Sequence, residues 1–494
     1  MRKHHALLLG ILLLASYVYV LPRWADWSQN SRLDLVRAMS EQQRVMIDDY
    51  VANTGDYALY QGHTYSDKAP GPAFLALPAA LILQPVLDLP VVRQQSVRLA
   101  GGAAFGDTLN PLGTGVDADK LRAFVLQIVA TWVAVAVPTV LGALALFGLL
   151  RQGKMATELA ALITLAYGLG TGIAPYAGNF YSHALVASLL FGAWAVAAQP
   201  FAPARALLVG LLLGWAVISE YPAALIALLI GLAAAWAWRR PGALVWIAAG
   251  SLPPALLLAV YDWCAFGTPL PVGYEHSALW RQQHQTGFLS ITWPHVEALW
   301  GLTFGLFRGM FVRAPWLLLA LPGYALWWRS GRDRPRWWVA LLAPLAMWLF
   351  YASSVMWWGG FTAGPRYLVI IVPFLIVASA PMAQVLWQRH WGRAALLLLI
   401  LGSIALTWSE AVAGQSFPPD TIPNPWIGYT LPSWLAGDIA RNLGTALKLR
   451  GALSLAPLAL LIIGVLAFML HQPRPQAGAL PPAHRTEGPT IASI

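Results

Sequence analysis

The stretch FVLQIVATWVAVAVPTVLGALALFGLL, residues 124–150, contains no charged side chain and lies between Arg122 and Arg151. A membrane-spanning helix needs about 20 mainly apolar residues, so this stretch is long enough to cross a bilayer. The rest of the chain has the same character, because 58% of its 494 residues are hydrophobic and only 11% are charged. A soluble domain carries about 25% charged residues. The sequence therefore predicts an integral membrane protein.

Further apolar stretches of similar character occur on both sides of this one. They are Ala6–Leu21, Leu159–Tyr176, Ala184–Ala198, Ala206–Ser219, Tyr221–Trp238, Ala243–Tyr261, Ala314–Trp328, Trp337–Val355, Tyr367–Trp387, Ala394–Ser409 and Ala452–Leu470. Together they predict an all-α polytopic fold with about 12 transmembrane helices, in a range of about 11 to 13. One more apolar stretch, Ala73–Leu87, is interpreted as a juxtamembrane or re-entrant segment of the first loop. An even number of spans places both termini on one side.

The basic residues indicate which side is cytoplasmic. With these spans, one side holds fifteen bases and three acids, and the other holds the remaining sixteen bases and eighteen acids. Lys and Arg accumulate in cytoplasmic loops, so the first side, with both termini, is expected to be cytoplasmic. The long loops, residues 22–122, 262–313 and 410–450, then lie outside, along with the amphipathic juxtamembrane helices. We expect the plasma (inner) membrane of a bacterium.

The domain organisation follows from these spans. Residues 1–471 are expected to form one membrane domain, and residues 472–494, which are polar and rich in proline, a disordered cytoplasmic tail. The amino terminus resembles a signal peptide, but no small-residue cleavage site follows Leu21, and we interpret it as the first span. The single cysteine, Cys264, excludes an intrachain disulfide and a CxxC metal site.

Acidic residues are concentrated in the first external loop. Residues 30–47 have the pattern of an amphipathic helix on the membrane surface, and Asp48, Asp49 and Asp56 follow it. A carboxylate can take a proton from a reacting hydroxyl group, so each of the three is a candidate catalytic base. Each can equally be a solvated or capping aspartate.

The segment Gly62–Pro72 follows directly and combines turn residues with polar side chains. His63, Tyr65 and Lys68 precede the apolar stretch that begins at Ala73. A lysine at the height of the lipid headgroups suits a phosphate group. The alternative is an interfacial lysine that extends its ammonium toward water.

Two shorter external turns also carry polar residues. His183 ends the turn Asn179-Phe180-Tyr181-Ser182-His183, either as a neutral hydrogen-bonding residue or as a donor to phosphate or sugar. Glu220 lies at an apolar hairpin tip, where an unpaired charge costs several kcal/mol. It can pair with Arg366 or Arg308, or it can bind a sugar hydroxyl.

The later external segments contribute aromatic and basic residues. Tyr274 and Arg308 flank the middle loop, and Trp358 and Arg366 lie in the glycine-rich segment Trp357–Tyr367. Tryptophan can stack on a sugar, and arginine can hold a phosphate with two hydrogen bonds. An interfacial aromatic belt is the alternative interpretation.

The chain resembles the GT-C superfamily of polyprenyl-phosphate-sugar-dependent glycosyltransferases, and most of all its protein O-mannosyltransferase and aminoarabinose-transferase group, which is like glycosyltransferase family 39. The resemblance lies in the first span, the long first external loop and the element Tyr65-x-x-Lys68-x-Pro70. It implies a lipid-linked sugar donor, transfer outside the cytoplasm with inversion at the anomeric carbon, and contact of Lys68 with the donor phosphate.

The chain departs from the family at one position. The family has an Asp-Glu-x-Arg pattern soon after the first span, and here the matching place is Gln29-Asn30-Ser31-Arg32. The expected base is therefore Asp48, Asp49 or Asp56. The second external carboxylate of the family has no clear match, and His183 stands near its place.

We therefore expect a membrane glycosyltransferase, with His63, Tyr65, Lys68, Arg308 and Arg366 at the donor phosphate. The residues expected to contact the substrates are His183, Glu220, Tyr274 and Trp358. Expected partners are the lipid-linked donor, an acceptor glycan, lipid or protein, and membrane lipids, but no nucleic acid. No cofactor is expected, although a carboxylate and a phosphate can recruit a divalent cation. The alternatives are a transporter or flippase of a lipid-linked glycan and a noncatalytic assembly subunit.

Overall fold

The computed structural model describes residues 2–23, 26–100, 120–288 and 290–471, so the predicted tail at 472–494 lies outside the described residues. The fold is mostly helical, with 72% of its residues in helices. The longer apolar helices are Arg2–Tyr19, Lys120–Thr131, Val137–Gln152, Thr157–Leu169, His183–Ala197, Pro203–Ser219, Ala223–Trp238, Ala243–Phe266, Ala320–Arg329, Arg334–Ala352, Val372–Trp387, His390–Val412 and Ala456–His471.

Within the described residues, five helical segments are long and apolar enough to cross a membrane, or up to six if one bent pair is a single span. They are Leu121–Gln152, Ala243–Phe266, Arg366–Trp387, His390–Val412 and Gly451–Phe468. Shorter apolar helices occupy most of the other expected spans. The helix-rich membrane fold is confirmed, and the number of twelve crossings stays a prediction.

The expected span Leu159–Tyr176 is interrupted. One helix ends at Leu169 and a short one, Ile173–Ala177, follows. The break is stabilised by side chains that bond the freed carbonyl groups, because Trp316 Nε1 donates to the Gly170 oxygen at 3.1 Å and Thr407 Oγ1 to the Leu169 oxygen at 2.8 Å. Buried backbone groups need such partners.

The first long loop begins with the helix Trp27–Gln42, whose first turn is capped by Asp26. The sequence predicted an amphipathic helix on the membrane surface at residues 30–47, and this is wrong in extent and in environment. The helix ends at Gln42, and its residues 28–38 are all buried. Its polar side chains are buried because it packs against the helix Gly71–Leu87 and the following hairpin.

A two-stranded antiparallel sheet follows, which the all-α prediction missed. Its strands are Tyr57–Tyr60 and His63–Ser66, with Ala58 opposite Tyr65. Gln61 and Gly62 form the tight turn, both with positive φ, a conformation that favours glycine. The hairpin brings Asp56 and Asp67 to its open end.

The apolar segment after the hairpin, which the sequence analysis interpreted as juxtamembrane or re-entrant, is the helix Gly71–Leu87. It meets the helix Pro90–Ala100 at an angle of 91°, which fits a broken span or a re-entrant loop. Proline cannot continue the hydrogen-bonding of the preceding turn, so Pro90 accounts for the change of direction.

Short helices and turns occur between and within the longer helices. The short helices are Arg281–His284, Val296–Thr303, Met310–Arg313, Leu431–Leu435 and Leu443–Ala446. Turns of 3₁₀ or π type occur at Val51–Asn53, Trp132–Ala136, Gly273–His276, Pro315–Leu319, Arg366–Ile371, Trp426–Thr430 and Gly451–Leu455. Residues Gly273–His284, which we call the middle segment, lie against the hairpin, because the Ala278 amide donates to the Tyr57 oxygen at 2.9 Å.

Candidate active site

The site centres on Lys68, which lies at the end of the hairpin between two carboxylates. Its Nζ is 2.9 Å from Asp56 Oδ2 and 3.0 Å from Asp67 Oδ1. The middle segment closes this arrangement, since Trp280 Nε1 donates to Asp56 Oδ1 at 3.1 Å and Ser277 Oγ to Asp67 Oδ2 at 3.1 Å. We call these five residues the Lys68 cluster. All three charged side chains are largely buried.

The two carboxyl groups of the Lys68 cluster differ in acidity. Burial raises the pKa of Asp56, but the Lys68 ammonium and the hydrogen bonds from Lys68 and Trp280 outweigh burial and hold it below the usual value. Burial raises the pKa of Asp67 above its usual value, and the nearby Asp56 carboxylate adds to the rise. Burial alone would lower the pKa of Lys68, yet the two aspartates raise it. Lys68 is therefore a fixed positive charge.

A second group of polar residues surrounds Glu220, and we call it the Glu220 cluster. Ser182 donates its hydroxyl to Glu220 Oε1, Arg32 Nη2 lies 3.6 Å from the same oxygen, and His183 Nδ1 lies 3.4 Å from it. Arg32 also donates to Ser182 Oγ at 3.0 Å. The expected pairing of Glu220 with Arg366 or Arg308 is thus wrong, because Arg32 projects from the buried first-loop helix into this position.

The Lys68 cluster and the Glu220 cluster are neighbours. Gly71 lies so close to the end of the helix Pro203–Ser219 that an added Cβ would be 2.9 Å from the Ile218 carbonyl oxygen. Tyr274 lies within electrostatic range of both clusters: burial raises its pKa, Glu220 raises it further and Lys68 opposes the rise. Lys68 and Glu220 therefore belong to one site.

Arg366 is a cation near the two clusters whose neighbours are mainly aromatic. It contacts aromatic rings, with its guanidinium carbon 5.6 Å from the centre of Tyr181 and 5.1 Å from that of Tyr367. Its Nε is buried without a hydrogen-bond partner. Within the part of the chain that the structure describes, no carboxylate is within 4 Å of it. It is still near enough to Asp56 to lower the pKa of that carboxyl group.

Asp26 is a site residue that the sequence analysis missed. Its Oδ2 accepts a hydrogen bond from the Tyr181 hydroxyl at 2.6 Å, and its Oδ1 caps the amide of Gln29 at 3.0 Å. Burial raises the pKa of Asp26 above its usual value, while Tyr181, Gln29 and Arg366 oppose the rise. Its position three residues before Gln29, the place of the family's acidic pattern, is a signal that could have identified it.

Asp48 and Asp49 lie apart from Lys68. Asp48 accepts hydrogen bonds from the amide and hydroxyl of Thr64 at 2.6 and 2.7 Å, and its Oδ2 is 2.8 Å from His63 Nδ1. Asp49 is exposed and pairs with Arg44 at 2.6 Å. The structure thus brings Asp48 together with His63, at the hairpin, and Asp56 together with Lys68.

Several other predicted residues make contacts with protein groups. Arg308 is fully buried and donates to the carbonyl oxygens of Trp358, Gly360 and Thr362 at 2.7–3.1 Å. Its guanidinium thus holds the glycine-rich segment. Trp358 Nε1 donates to Asp420 Oδ2 at 3.1 Å. The ring of Tyr65 lies 5.2 Å from that of Phe266.

The remaining residues that the sequence analysis missed are Asp67, Ser277, Trp280 and Arg32. Asp67 adjoins Lys68 in the quoted motif and could have been included on that ground. Ser277 and Trp280 are more than two hundred residues from their partners, and no local pattern indicates the contact. The described residues contain no group of three His, Cys, Asp or Glu side chains that could hold a metal ion.

The chain was compared with protein families, curated proteins and solved structures. No model of a protein family matches the chain, and no curated protein matches it. Among solved structures it is similar to the crystal structure of ArnT from Cupriavidus metallidurans in the apo state, with 16% identity and a TM-score of 0.48 over 92% of this chain and 71% of that chain.

Proposed function

We propose that this protein is a membrane glycosyltransferase that moves a sugar from a polyprenyl-phosphate donor to an acceptor hydroxyl group on the extracytoplasmic side. The observation that carries the proposal is the buried Lys68, held by Asp56 and Asp67 at the end of the Tyr65-x-x-Lys68-x-Pro70 element. A buried lysine of fixed charge, close to an arginine without a carboxylate partner, suits a phosphate group.

The reaction forms one bond and breaks another at the anomeric carbon. The acceptor oxygen bonds to that carbon as the bond from the carbon to the phosphate oxygen breaks, and the lipid phosphate leaves with the electron pair. Lys68 and Arg366 stabilise the negative charge on the leaving phosphate. A carboxylate accepts the proton of the acceptor hydroxyl. Attack opposite to the leaving group inverts the anomeric configuration.

Two carboxylates are candidates for the base. Asp56 is the one predicted aspartate that contacts Lys68, but its pKa is lowered, which makes it a weak proton acceptor. Asp26 has a raised pKa and lies near Arg366. A base works best when its pKa approaches the working pH, which favours Asp26. Asp56 then orients Lys68.

The test is transfer of radiolabelled sugar from a panel of polyprenyl-phosphate sugars by membranes that contain the full chain. We expect Lys68→Ala and the true base variant, Asp26→Asn or Asp56→Asn, to lower transfer by about 100-fold or more. Asp88→Asn is the matched control, because Asp88 is a first-loop carboxylate that pairs with Arg93 and Arg122 away from Lys68. Gel filtration checks that each variant is folded.

The outcomes separate the proposal from its alternatives. Loss of transfer in Asp48→Asn or Asp49→Asn would place the base at the outer part of the first loop instead. Full activity of Lys68→Ala would contradict the phosphate role. If no donor on the panel is consumed, a transporter or flippase of a lipid-linked glycan becomes the better hypothesis.

A further inference from the structure

A pocket lies at the end of the helix bundle opposite to the candidate active site. Three helices line it: His183–Ala197, Ala223–Trp238 and Arg334–Ala352. Each of them has its other end at the site, next to His183, Glu220 and Tyr367. A helix of 15 residues is about 22 Å long, so the pocket and the proposed reaction centre are at opposite ends of the bundle.

The inner wall of this pocket is apolar and is formed by small residues. Ala233, Ala234 and Ala237 leave space along one helix, and Trp194 and Trp238 close the sides. The cavity measures about 350 Å³, which falls within the range of about 300–1,000 Å³ for ligand pockets. Ala237 is exposed, and its neighbour Trp236 is 55% exposed. The pocket is therefore accessible from the lateral surface of the helices.

The rim of the pocket is positively charged. Arg336 lines the pocket and is fixed by Asp333 at 3.0 Å and by the Ala198 carbonyl oxygen at 3.0 Å. Two further arginines adjoin the walls: Arg205 donates to the Pro200 oxygen at 2.6 Å, and the guanidinium of Arg240 lies 4.9 Å from the ring of Phe201. That ring is 5.4 Å from Trp238. Three arginines and one aspartate therefore lie at or beside the pocket, and Arg336 is the arginine that pairs with the aspartate.

We propose that this pocket binds an anionic phospholipid, with the headgroup phosphate at the arginines and an acyl chain along the alanine wall. An apolar wall beside a basic rim matches a molecule that has both a tail and a negative head. Basic pockets between membrane helices on the cytoplasmic side bind such headgroups, and tryptophan is typical of this depth. The proposal does not depend on the glycosyltransferase function.

The test measures lipid retention by the purified full chain with native mass spectrometry. The probes are phosphatidylglycerol, phosphatidylcholine with identical acyl chains, and glycerol 3-phosphate. We expect phosphatidylglycerol to bind more tightly than phosphatidylcholine, and glycerol 3-phosphate to bind hardly at all. Arg205→Gln and Arg240→Gln should each weaken the preferred lipid by about fivefold, since each arginine near the surface contributes about 1 kcal/mol. Arg389→Gln is the control for the loss of one positive charge. Arg389 precedes the helix His390–Val412 and does not line the pocket, so this variant should bind phosphatidylglycerol as the unchanged protein does.

A second variant tests the cavity without changing charge. Ala237→Phe should fill the pocket and abolish the preference for phosphatidylglycerol, whereas Leu232→Phe should not, because Leu232 is exposed on the same helix outside the pocket lining. Equal binding of the two lipids would overturn the proposal. Binding of glycerol 3-phosphate as tight as that of the lipid would indicate a plain anion site, and retention by Ala237→Phe would place the lipid elsewhere.

Discussion

At the scale of single residues, the site is a set of buried charges with assigned partners. Lys68 is paired with Asp56 and Asp67, and Glu220 is paired with Arg32. Burying a charge is costly unless it is paired and hydrogen-bonded. Arg366 has aromatic neighbours in place of a carboxylate, which is why we assign it to the phosphate.

The pair of Arg32 and Glu220 supports a prediction about stability. Both side chains are buried, with 4% and 10% exposure, so Arg32→Ala leaves a buried carboxylate without its guanidinium. We expect the free energy of unfolding to fall by about 3 kcal/mol, measured by thermal unfolding of the purified protein in detergent.

The double variant Arg32→Ala/Glu220→Ala should lose less free energy of unfolding than the sum of the losses in the two single variants, because it leaves no unpaired charge. Arg44→Ala is the matched control, since Arg44 pairs with the exposed Asp49 and such a pair contributes less than about 1 kcal/mol. Equal effects of Arg32→Ala and Arg44→Ala would contradict the buried ion pair.

At the scale of elements, the hairpin and the middle segment form the site together. The hairpin supplies Asp56 and Asp67, and the segment Gly273–His284 covers them through Ser277 and Trp280. His284 lies near the end of that segment, 5.2 Å from the ring of Tyr274. Burial lowers its pKa to about 4, and the positive charge of Lys68 contributes.

This segment is expected to loosen in mild acid. The unfolded segment binds a proton near pH 6.5 and the folded segment only near about pH 4. Between these values the unfolded form binds more protons, so the stability of the segment falls as the pH falls from about 6.5 to about 4. Hydrogen exchange of residues 273–284 at about pH 7.5 and about pH 5, corrected for intrinsic rates, measures this.

The variant His284→Gln removes the titrating group and should remove most of the pH dependence. His276→Gln is the control on the same segment, since the ring of His276 stacks on Phe266 at 5.7 Å. An unchanged pH dependence in His284→Gln would show that another group controls the segment.

At the scale of the whole molecule, two groups of charged residues lie at opposite ends of the helix bundle. The site with Lys68 and Glu220 is at one end, and Arg205, Arg240 and Arg336 are at the other. If the basic end is cytoplasmic, as the distribution of Lys and Arg indicates, the reaction takes place outside.

Cysteine labelling tests this orientation. In a Cys264→Ser background, Gln285→Cys should react with a membrane-impermeant maleimide in intact spheroplasts. Arg332→Cys should react only after permeabilisation, because it lies at the opposite end. Both positions are exposed in the folded chain, so a difference in labelling would reflect the side of the membrane and not burial of the cysteine. The reverse pattern would invert the topology and would place the site in the cytoplasm.

The sequence alone predicted a helical membrane protein and a candidate site in one loop. Long charge-free stretches such as residues 124–150 require a membrane environment, because hydropathy and length act locally. The same holds for the apolar character of Ala73–Leu87, which follows Lys68 closely in the sequence. The Tyr65-x-x-Lys68-x-Pro70 element also depends only on neighbouring residues, and it led to the site.

Only the tertiary structure decided which side chains meet. Trp280 contacts Asp56 across more than two hundred residues, and Arg32, not Arg308 or Arg366, pairs with Glu220. The helix Trp27–Gln42 has a surface pattern but is buried, because its polar residues bond to other loops. Partners of a buried charge are chosen by packing between distant segments, and no local periodicity records that choice.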